Sequence, residues 1–363
     1  MVLEGLLIVD PLDGEFTGDL EIEEGKIARI KKKYYHNIKG ILMPGFVDPH
    51  IHGIMGADTM NCEFEKMEEY LYSQGVTSFL ATTVSTSFEN VKKILHRAEN
   101  YIASKLNTSM KGLHLEGPYI SEEKRGAHSR KYLKSPSEKE VNELSFPVKI
   151  ITFAPELENI DLLFEKEFVL SAGHSNASFE EFTRVYKKGV RRITHFPNAL
   201  RPLHHREIGI TGAGLLLEDV KLELICDGVH LSKEMIQLVY KVKGARNIVL
   251  VTDSISATGV RDGVVFLGDL LVRVKNGVPR LEDGTLAGST LMFSEAVKNF
   301  VKFTKATLKE VALVSSYNSC IELGMKEVGR IKEGGTADLV MLNQNLDPVL
   351  TLKGGEIVYK KIN

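Results

Sequence analysis

The stretch FVDPHIHG (residues 46–53) is a short apolar run that ends in two histidines one residue apart. Seven further apolar runs follow it along the chain, and amphipathic stretches separate several of them: VTSFLATTV, KGLHLEG, VKIITFAPE, FVLSAGHS, RRITHFPNA, KLELICDGVH and NIVLVTDS. Near-continuous apolar strands that alternate with helices are typical of a parallel sheet covered by helices. Eight such alternations predict an α/β fold, a (β/α)8 barrel of the TIM type, with an open doubly wound sheet as the alternative.

The two ends of the chain share a character that its middle lacks. Residues 1–42 and 328–363 are rich in short alternating or apolar runs, with Asp-Gly and Glu-Gly turn signals among the first of them. The simplest arrangement is a small β-sandwich domain formed by both termini, with residues 43–327 inserted between them as the barrel. Residues 262–284 break the barrel pattern, and their Asn276-Gly277 pair predicts the turn of a β-hairpin insertion.

The composition of the 363 residues is that of an ordinary globular protein, with 43% hydrophobic and 26% charged residues. A net charge of −2 offers no basic field for nucleic acid or an anionic membrane, so we expect neither as a partner. We also expect no signal peptide and no membrane helix, since no apolar run reaches the roughly 18 residues that a span requires. The three cysteines, Cys62, Cys226 and Cys320, lie far apart in the sequence, which favours a reduced, cytoplasmic setting.

Residues with metal-binding side chains close most of the predicted barrel strands. In a barrel these positions share one rim, the carboxyl-terminal face on which active sites are built. Taken alone, a histidine at a strand end is usually a hydrogen-bonded rim residue, and Asp253 is alternatively the N-cap of the next helix. The residues that close these strands are His50, His52, Glu116, His174, His195, His230 and Asp253.

The convergence of these residues favours a metal site over separate structural roles, since buried charges are costly unless they are paired or bound to metal. His50 and His52 point the same way, because side chains along a strand repeat with period two. Imidazole and carboxylate groups suit zinc, iron or a similar divalent ion, and Glu116 would complete or bridge the site. We therefore predict a divalent metal, zinc or iron, with one or two ions per chain.

Longer motifs in the same regions resemble a known family. PGFVDPHIHG and GRIKEGGTADLVML resemble the opening and closing motifs of the amidohydrolase superfamily. GLHLEGPYIS, AGHSNA, THFPNAL, DGVHL, VTDSISATG and GTLAGS together resemble the N-acetylglucosamine-6-phosphate deacetylase family. The resemblance implies a homodimeric, metal-dependent hydrolase of amino-sugar catabolism. Its substrate would be N-acetylglucosamine 6-phosphate, and its products glucosamine 6-phosphate and acetate.

The resemblance also implies roles for individual residues. Glu116, His174 and His195 would hold the primary metal, and the retained pair His50 and His52 would allow a second. The substrate-binding residues implied by the same motifs are Ala127, His128, Asn198, Ala199, Arg206, His230, Leu286, Ala287 and Gly288.

Amide hydrolysis needs groups for two further tasks. A carboxylate that takes the proton of the attacking water and returns it to the departing amine performs both proton transfers, and Asp253 is the candidate. An imidazole, that of His128 or His230, would help to stabilise the tetrahedral oxyanion.

Phosphate recognition depends on a different stretch. LRPLHHREIG (residues 200–209) concentrates two arginines and two histidines after the sixth strand, and it is alternatively a solvated basic loop. In the family that the sequence resembles, the phosphate pocket lies near a dimer interface, so one basic residue would come from the partner chain.

Two other functions stay open at this point. Another hydrolase of the same superfamily, acting on a cyclic amide or an N-acyl amino acid, would share the metal site but not the phosphate pocket. A catalytically silent relative that serves as an assembly scaffold would tend to lose metal ligands or the acid and base, whereas Glu116, His174, His195 and Asp253 are all present.

Overall fold

The computed structural model describes residues 1–361, and its centre is a barrel of eight parallel strands. In chain order, the strands are β5 (Phe46–Ile51), β8 (Val76–Thr83), β9 (Met110–Glu116), β10 (Val148–Phe153), β11 (Val169–Ala172), β12 (Arg192–Ile193), β13 (Lys221–Ile225) and β14 (Ile248–Val251). Each strand pairs with the next along the chain. β14 meets β5 at the rim, where Ile51 and Ser254 form a parallel bridge. The predicted barrel is therefore confirmed.

Helices follow most of the barrel strands. They are α1 (Phe64–Tyr72), α2 (Phe88–Ser104), α3 (Glu138–Glu143), α4 (Phe179–Lys187), α5 (Gly209–Leu216), α6 (Lys233–Lys243), α7 (Phe293–Thr304), α8 (Leu308–Ala312) and α9 (Asn318–Glu322). Each long helix buries one apolar face, as α2 does with Val91, Ile94 and Leu95. This face packs into a large hydrophobic core that it shares with the strands.

Strands from both ends of the chain form a second sheet of seven strands. They are β1 (Val2–Asp10), β2 (Gly14–Glu23), β3 (Lys26–Lys32), β4 (Gly40–Pro44), β18 (Leu339–Leu342), β19 (Pro348–Lys353) and β20 (Glu356–Lys360). Their order in the sheet is β20-β19-β18-β4-β1-β2-β3. All neighbours pair antiparallel except β1 and β4, and the sheet has its own apolar cluster around Leu20 and Leu339. The small β domain from both termini is thus confirmed as part of the fold, while the boundaries at 42/43 and 327/328 stay predictions.

The insertion after β14 has three strands, β15 (Gly263–Leu267), β16 (Leu270–Lys275) and β17 (Val278–Arg280). They form an antiparallel sheet of their own, one strand more than the predicted hairpin. The predicted turn joins β16 to β17, and both of its residues have positive φ, 53° at Asn276 and 72° at Gly277. These angles are those of the turn type that favours Asn-Gly pairs. A two-stranded ribbon, β6 (Gly53–Ile54) and β7 (Ala57–Asp58), follows β5.

Within residues 1–361, none of the helices combines the length and the apolar character that crossing a bilayer would require.

Candidate metal centre and active site

Three side chains from different strands bring their metal-binding atoms together at the carboxyl-terminal rim. Glu116 ends β9, His174 follows β11, and His195 follows β12. The Nε2 atoms of His174 and His195 lie 3.1 and 2.9 Å from Oε1 of Glu116, and 2.9 Å from each other. Two imidazole nitrogens and one carboxylate oxygen in such close approach form a donor set that suits a divalent cation. We refer to Glu116, His174 and His195 as the primary triad.

The first-strand histidines approach the same carboxylate. Nε2 of His52 lies 3.3 Å from Oε2 of Glu116, and Nε2 of His50 lies 3.4 Å from Oε1. Glu116 is therefore shared by the primary triad and the His50–His52 pair. The two histidines and Glu116 form a second group whose ligand atoms are close enough to share one ion.

Hydrogen bonds at the far side of the rings fix which nitrogen faces the cluster. Nδ1 of His174 donates to the Lys124 carbonyl at 2.8 Å, and Nδ1 of His52 donates to the Thr82 carbonyl at 3.1 Å. When Nδ1 carries the proton, Nε2 of a neutral ring keeps its lone pair for a metal. The surrounding backbone therefore holds both rings in the tautomer that a ligand needs.

The rim residues also have strained backbones. His174, His195 and Asp253 have φ values of 46°, 29° and 51°, in the left-handed region that residues other than glycine rarely adopt. Such conformations cost about 1–3 kcal/mol each and persist where the surrounding structure enforces them, often at functional sites. In this chain they turn three side chains inward directly after three strands.

Burial and the mixture of charges shift the pKa values of the cluster. Burial favours the neutral form of Glu116, but the positive charge of His50 and the imidazole hydrogen bonds hold its pKa well below the usual range. Burial lowers the pKa of His174 to about 4, so its ring is neutral at physiological pH. Burial opposes charge on His50 as well, yet the carboxylates of Glu116 and Glu223 raise its pKa well above the ordinary value. The carboxylates thus stabilise positive charge in the cluster, and a metal ion would supply such a charge.

Asp253 follows β14 and faces the His50–His52 pair. Its Oδ1 lies 3.0 Å from Nε2 of His52 and 3.4 Å from Nε2 of His50. Burial raises the pKa of Asp253, but the hydrogen bond from His52 and the charge of His50 lower it below its ordinary value. The alternative role as an N-cap is wrong, because the next helix, α7, begins at Phe293 after Met292.

The two candidate imidazoles for the oxyanion differ in their hydrogen bonds. Nδ1 of His128 accepts from the Ser85 amide at 3.1 Å, so its proton is on Nε2, 3.3 Å from Oε2 of Glu116. Nδ1 of His230 instead contacts Oδ2 of Asp227 at 2.6 Å. His128 is therefore already arranged to donate from Nε2 toward the metal cluster.

A cavity of about 410 Å³ opens above the cluster. It is wide enough for a sugar-sized molecule, since small-ligand pockets typically measure 300–1,000 Å³. The sequence-predicted residues that line it are His52, Glu116, Ala127, His128, His174, His195, Asn198, Ala199, His230, Asp253, Leu286 and Gly288. His50 lies beneath the cavity and is fully buried.

Two predicted substrate-binding residues lie elsewhere in the described part of the chain. Arg206 is exposed, and its guanidinium contacts Nε2 of His205 at 2.8 Å. Ala287 is fully buried and packs in the apolar cluster beneath the insertion, with Ile255 and Leu267. In this single chain the 200–209 loop thus resembles the solvated loop that was the alternative reading, and its part in phosphate binding stays a prediction.

Sequence reasoning missed several residues of the cavity wall. Lys124, Arg125 and Gly126 contribute from the loop after β9, and Leu267 and Thr285 contribute from the insertion. Gly126 has a φ of 53°, and a Cβ there would lie 3.2 Å from Cε1 of His174. In the sequence, this glycine stands between two basic residues and the predicted pair Ala127-His128. Its position was the available signal that the backbone approaches the site closely.

Comparison with known proteins agrees with this geometry. Residues 41–358 match the amidohydrolase family. The N-acetylglucosamine-6-phosphate deacetylase of Lysinibacillus sphaericus is 33% identical, over 98% of this chain and 97% of the relative. The N-acetylgalactosamine-6-phosphate deacetylase of Escherichia coli O157:H7 is 32% identical, over 90% of this chain and 91% of the relative.

A solved structure extends the comparison to three dimensions. The crystal structure of N-acetylglucosamine-6-phosphate deacetylase from Thermotoga maritima is 66% identical, with a TM-score of 0.98, and the match covers 99% of this chain and 100% of that one. Sequence and fold agree over nearly the whole length. The chain belongs to the amidohydrolase family and, within it, to the N-acetylglucosamine-6-phosphate deacetylases.

Proposed function

We propose that this protein hydrolyses the acetamide of N-acetylglucosamine 6-phosphate to give glucosamine 6-phosphate and acetate. The observation that carries the proposal is the meeting of the primary triad with Asp253 at the floor of one cavity. The names of the relatives supply the substrate, and the site supplies chemistry that this substrate requires.

The proposed cofactor is zinc or iron. Glu116 would hold the ion together with Nε2 of His174 and His195, since their donor atoms converge and the carboxylate stays ionised. When bound, a divalent metal polarises the scissile carbonyl and lowers the pKa of a water molecule in the site. The His50–His52 pair, whose ligand atoms also lie close to Glu116, supports a second ion in our proposal.

Asp253 is the proposed acid and base. Its lowered pKa keeps the carboxylate ionised near neutral pH, so it can accept the proton of the attacking water. The same carboxyl then returns the proton to the nitrogen, which leaves as an amine. Because Asp253 lines the cavity and is held by His52, it needs no rearrangement to reach a substrate there.

His128 is the proposed donor to the oxyanion. Since the Ser85 amide occupies its Nδ1, the ring carries its proton on Nε2, beside Glu116 at the cavity wall, where it would donate to a developing negative charge. His230 lines the cavity beside Asn198 and Ala199, and we assign these three residues to substrate binding. Arg206 would contact the phosphate.

The proposal includes a homodimer, because the insertion exposes apolar side chains. Val264 is 52% exposed, Phe266 is 60% exposed and Leu271 is 42% exposed, while the neighbouring Leu267 lines the cavity. A partner covering this face would bury apolar surface next to the substrate site, where one of its basic residues could reach the phosphate. Light scattering should find a dimer for the wild type and for Leu106→Glu, a variant at an exposed leucine elsewhere. Phe266→Glu should dissociate it, and a monomeric wild type would contradict the proposal.

A reducing, cytoplasmic setting completes the proposal. Cys62, Cys226 and Cys320 are all free thiols in the described structure. Free buried cysteines are typical of proteins that are kept in a reducing compartment.

The second candidate substrate is N-acetylgalactosamine 6-phosphate, which the name of the Escherichia coli relative favours. The two sugars differ in the configuration of one hydroxyl, so the metal centre and the acid–base group would serve either. Kinetics with both phosphorylated sugars decide between them, and the ratio of their kcat/KM values measures the preference.

The test of the function is acetate release by chelated and by metal-reloaded protein. We expect the metal-reloaded enzyme to deacetylate N-acetylglucosamine 6-phosphate and the chelated enzyme to be inactive. The unphosphorylated sugar should react with a much lower kcat/KM. Equal rates on both sugars would favour a different hydrolase of the superfamily, and bound metal without any turnover would favour the silent scaffold.

A further inference from the structure

A carboxylate that has no role in the proposed reaction lies directly beneath the metal centre. Glu223 is in the middle of β13 and is fully buried. Its Oε2 lies 3.0 Å from Nδ1 of His50, and the same oxygen accepts from the backbone amide of His195 at 3.0 Å. One oxygen atom thus contacts a histidine of the first strand and a member of the primary triad.

The contact with His50 determines how that ring is presented. Because Nδ1 donates to Glu223, a neutral His50 ring has its lone pair on Nε2. That Nε2 is buried and has no hydrogen-bond partner of its own, although carboxylate oxygens of Glu116 and Asp253 each lie 3.4 Å away. A buried nitrogen of this kind, aimed at two carboxylates, is arranged for a cation.

The contact with His195 acts through the backbone. A residue with a φ of 29° is held against its own preference, and the hydrogen bond from its amide to Glu223 fixes the chain at that point. The ring of His195 contacts Glu116 and His174 through Nε2, and its Nδ1 has no hydrogen-bond partner in the described structure. The position of Nε2 therefore depends on where Glu223 holds the backbone.

Arg192 compensates the charge of Glu223. Its Nε and Nη2 atoms donate to Oε1 of Glu223 at 2.9 and 2.6 Å, and its Nη1 contacts Glu322. These two charge-assisted hydrogen bonds fix the carboxylate of Glu223 below His50 and His195.

A further group of residues beneath the cluster has the composition of a metal site, but the polar atoms of His114 and Glu223 already have hydrogen-bond partners within the protein. His50, His114 and Glu223 bring ligand atoms close together. However, Arg192 occupies one oxygen of Glu223, and both ring nitrogens of His114 have partners, the Pro49 carbonyl at 3.1 Å and the Thr152 hydroxyl at 2.7 Å. The group therefore supports the layer above it, and we name Arg192, Glu223 and His114 the support layer.

We propose that Glu223 is a positioning residue that orients His50 and His195 for metal binding, and that Arg192 holds its carboxylate in place. The inference rests on the proposed metal centre and adds a residue on which its affinity depends. Removing an outer partner of a metal-binding histidine typically weakens metal affinity or activity by about 10–100-fold.

The experiment compares Glu223→Gln with the wild type in chelator competition and in metal content per chain. We expect metal affinity to fall by about 10–100-fold and, if two ions bind the wild type, the one near His50 to be lost first. At saturating metal, kcat should fall while KM stays within about twofold, because Glu223 does not line the substrate cavity.

Glu68→Gln is the matched control. Glu68 is also a buried carboxylate that accepts a backbone amide, that of Ser109, and it contacts Tyr72 and Tyr101 rather than any metal-site residue. Its replacement should lower the melting temperature but leave metal affinity within about twofold. If Glu223→Gln behaves like this control, Glu223 is merely structural and the inference is wrong.

Two further measurements keep the outcomes distinct. If Glu223→Gln does not fold, Glu223→Asp, which keeps the charge and withdraws the carboxylate, should weaken metal binding, and wild-type affinity in that variant would overturn the inference. A wild type that binds no metal or releases no acetate would instead contradict the proposed function, whatever the variants show.

Discussion

The metal cluster and the support layer contain the same kinds of side chain, yet their hydrogen bonding differs. In the support layer, His114 has a partner at each ring nitrogen, and Glu223 is matched by Arg192. In the cluster above it, Nε2 of His50 is buried without a hydrogen-bond partner in the described structure, and Glu116 faces five imidazoles. Buried polar groups normally have hydrogen-bond partners, so the layer with an unpartnered ring nitrogen is the one that suits a bound cation.

Burial affects the pKa values of the histidines differently in the two layers. Burial lowers the pKa of His114 to about 3, which keeps it neutral as a fixed structural group. In the cluster, burial disfavours the charged form of His52, but the hydrogen bonds that it donates to Asp253 and Glu116 raise its pKa to about 9. The support layer therefore contains no unpaired charge, whereas the metal cluster brings carboxylates together around a position that suits a cation.

The largest expected effect is that of Asp253→Asn. The amide cannot accept the proton of water, so kcat should fall by about 10²–10⁴-fold, the usual contribution of a general acid and base. Metal content should not change, because the primary triad is intact. Measuring both in the same preparation tests the role, and turnover near the wild-type level would refute it.

A pair of histidine variants tests the comparison directly. His174→Gln removes a ligand of the primary triad and should lower metal affinity by more than about 100-fold, beyond the effect of losing an outer partner. His114→Gln, in the support layer, should cost about 1–3 kcal/mol of stability through lost buried hydrogen bonds. Isothermal titration with metal and thermal melting distinguish the two, and strong loss of metal in His114→Gln would break the division into layers.

Arg206→Gln should act on substrate binding alone. If its guanidinium contacts the phosphate, KM for the phosphorylated sugar should rise by about 10-fold, within the value of a hydrogen bond to a charged group. Turnover at saturation should change little. Arg29→Gln, at an exposed arginine on β3, is the control. An unchanged KM would indicate that the 200–209 loop is a solvated basic loop without a part in phosphate binding.

The smallest expected effect concerns Lys111, where β9 begins. Its Nζ donates to the Thr108 carbonyl at 2.6 Å, and burial lowers its pKa to about 8. Between about pH 8 and 10.5 the unfolded chain keeps a proton that the folded chain has lost, so wild-type stability gains with rising pH. Any advantage of Lys111→Met over the wild type should therefore shrink as pH rises through this window.

Melting temperatures at pH 7.5 and 9.5 check the sign. Lys26→Met, at an exposed lysine on β3, is the control. An advantage of Lys111→Met that grows with pH would contradict the assigned cause.

The parts of the site that the sequence predicted share one property, a position at the end of a strand. His50, His52 and Glu116 are recognisable because period-two alternation and the common rim of a barrel place them together. Glu223 and Arg192 escaped notice because they lie within short apolar strands, where a charged residue cannot be assigned a partner without the barrel's register. The signal was present in KLELICDGVH, in which a glutamate interrupts an otherwise buried strand.

The overall architecture of the fold was more predictable from the sequence than its individual short strands and loops. Eight apolar runs specified the barrel, and Asn276-Gly277 located one turn of the insertion. The third strand of the insertion, Val278–Arg280, was not predicted, because three residues are too few to show alternation. Arg206 is exposed, with its guanidinium against the neighbouring His205.

The most direct test of the central claim is a crystal of the metal-reloaded protein measured at the absorption edge of the metal. We predict an anomalous peak coordinated by Glu116, His174 and His195, with Nε2 as the ligand atom of both histidines. A reloaded crystal with no peak at this triad, or with its metal bound at other residues, would contradict the account.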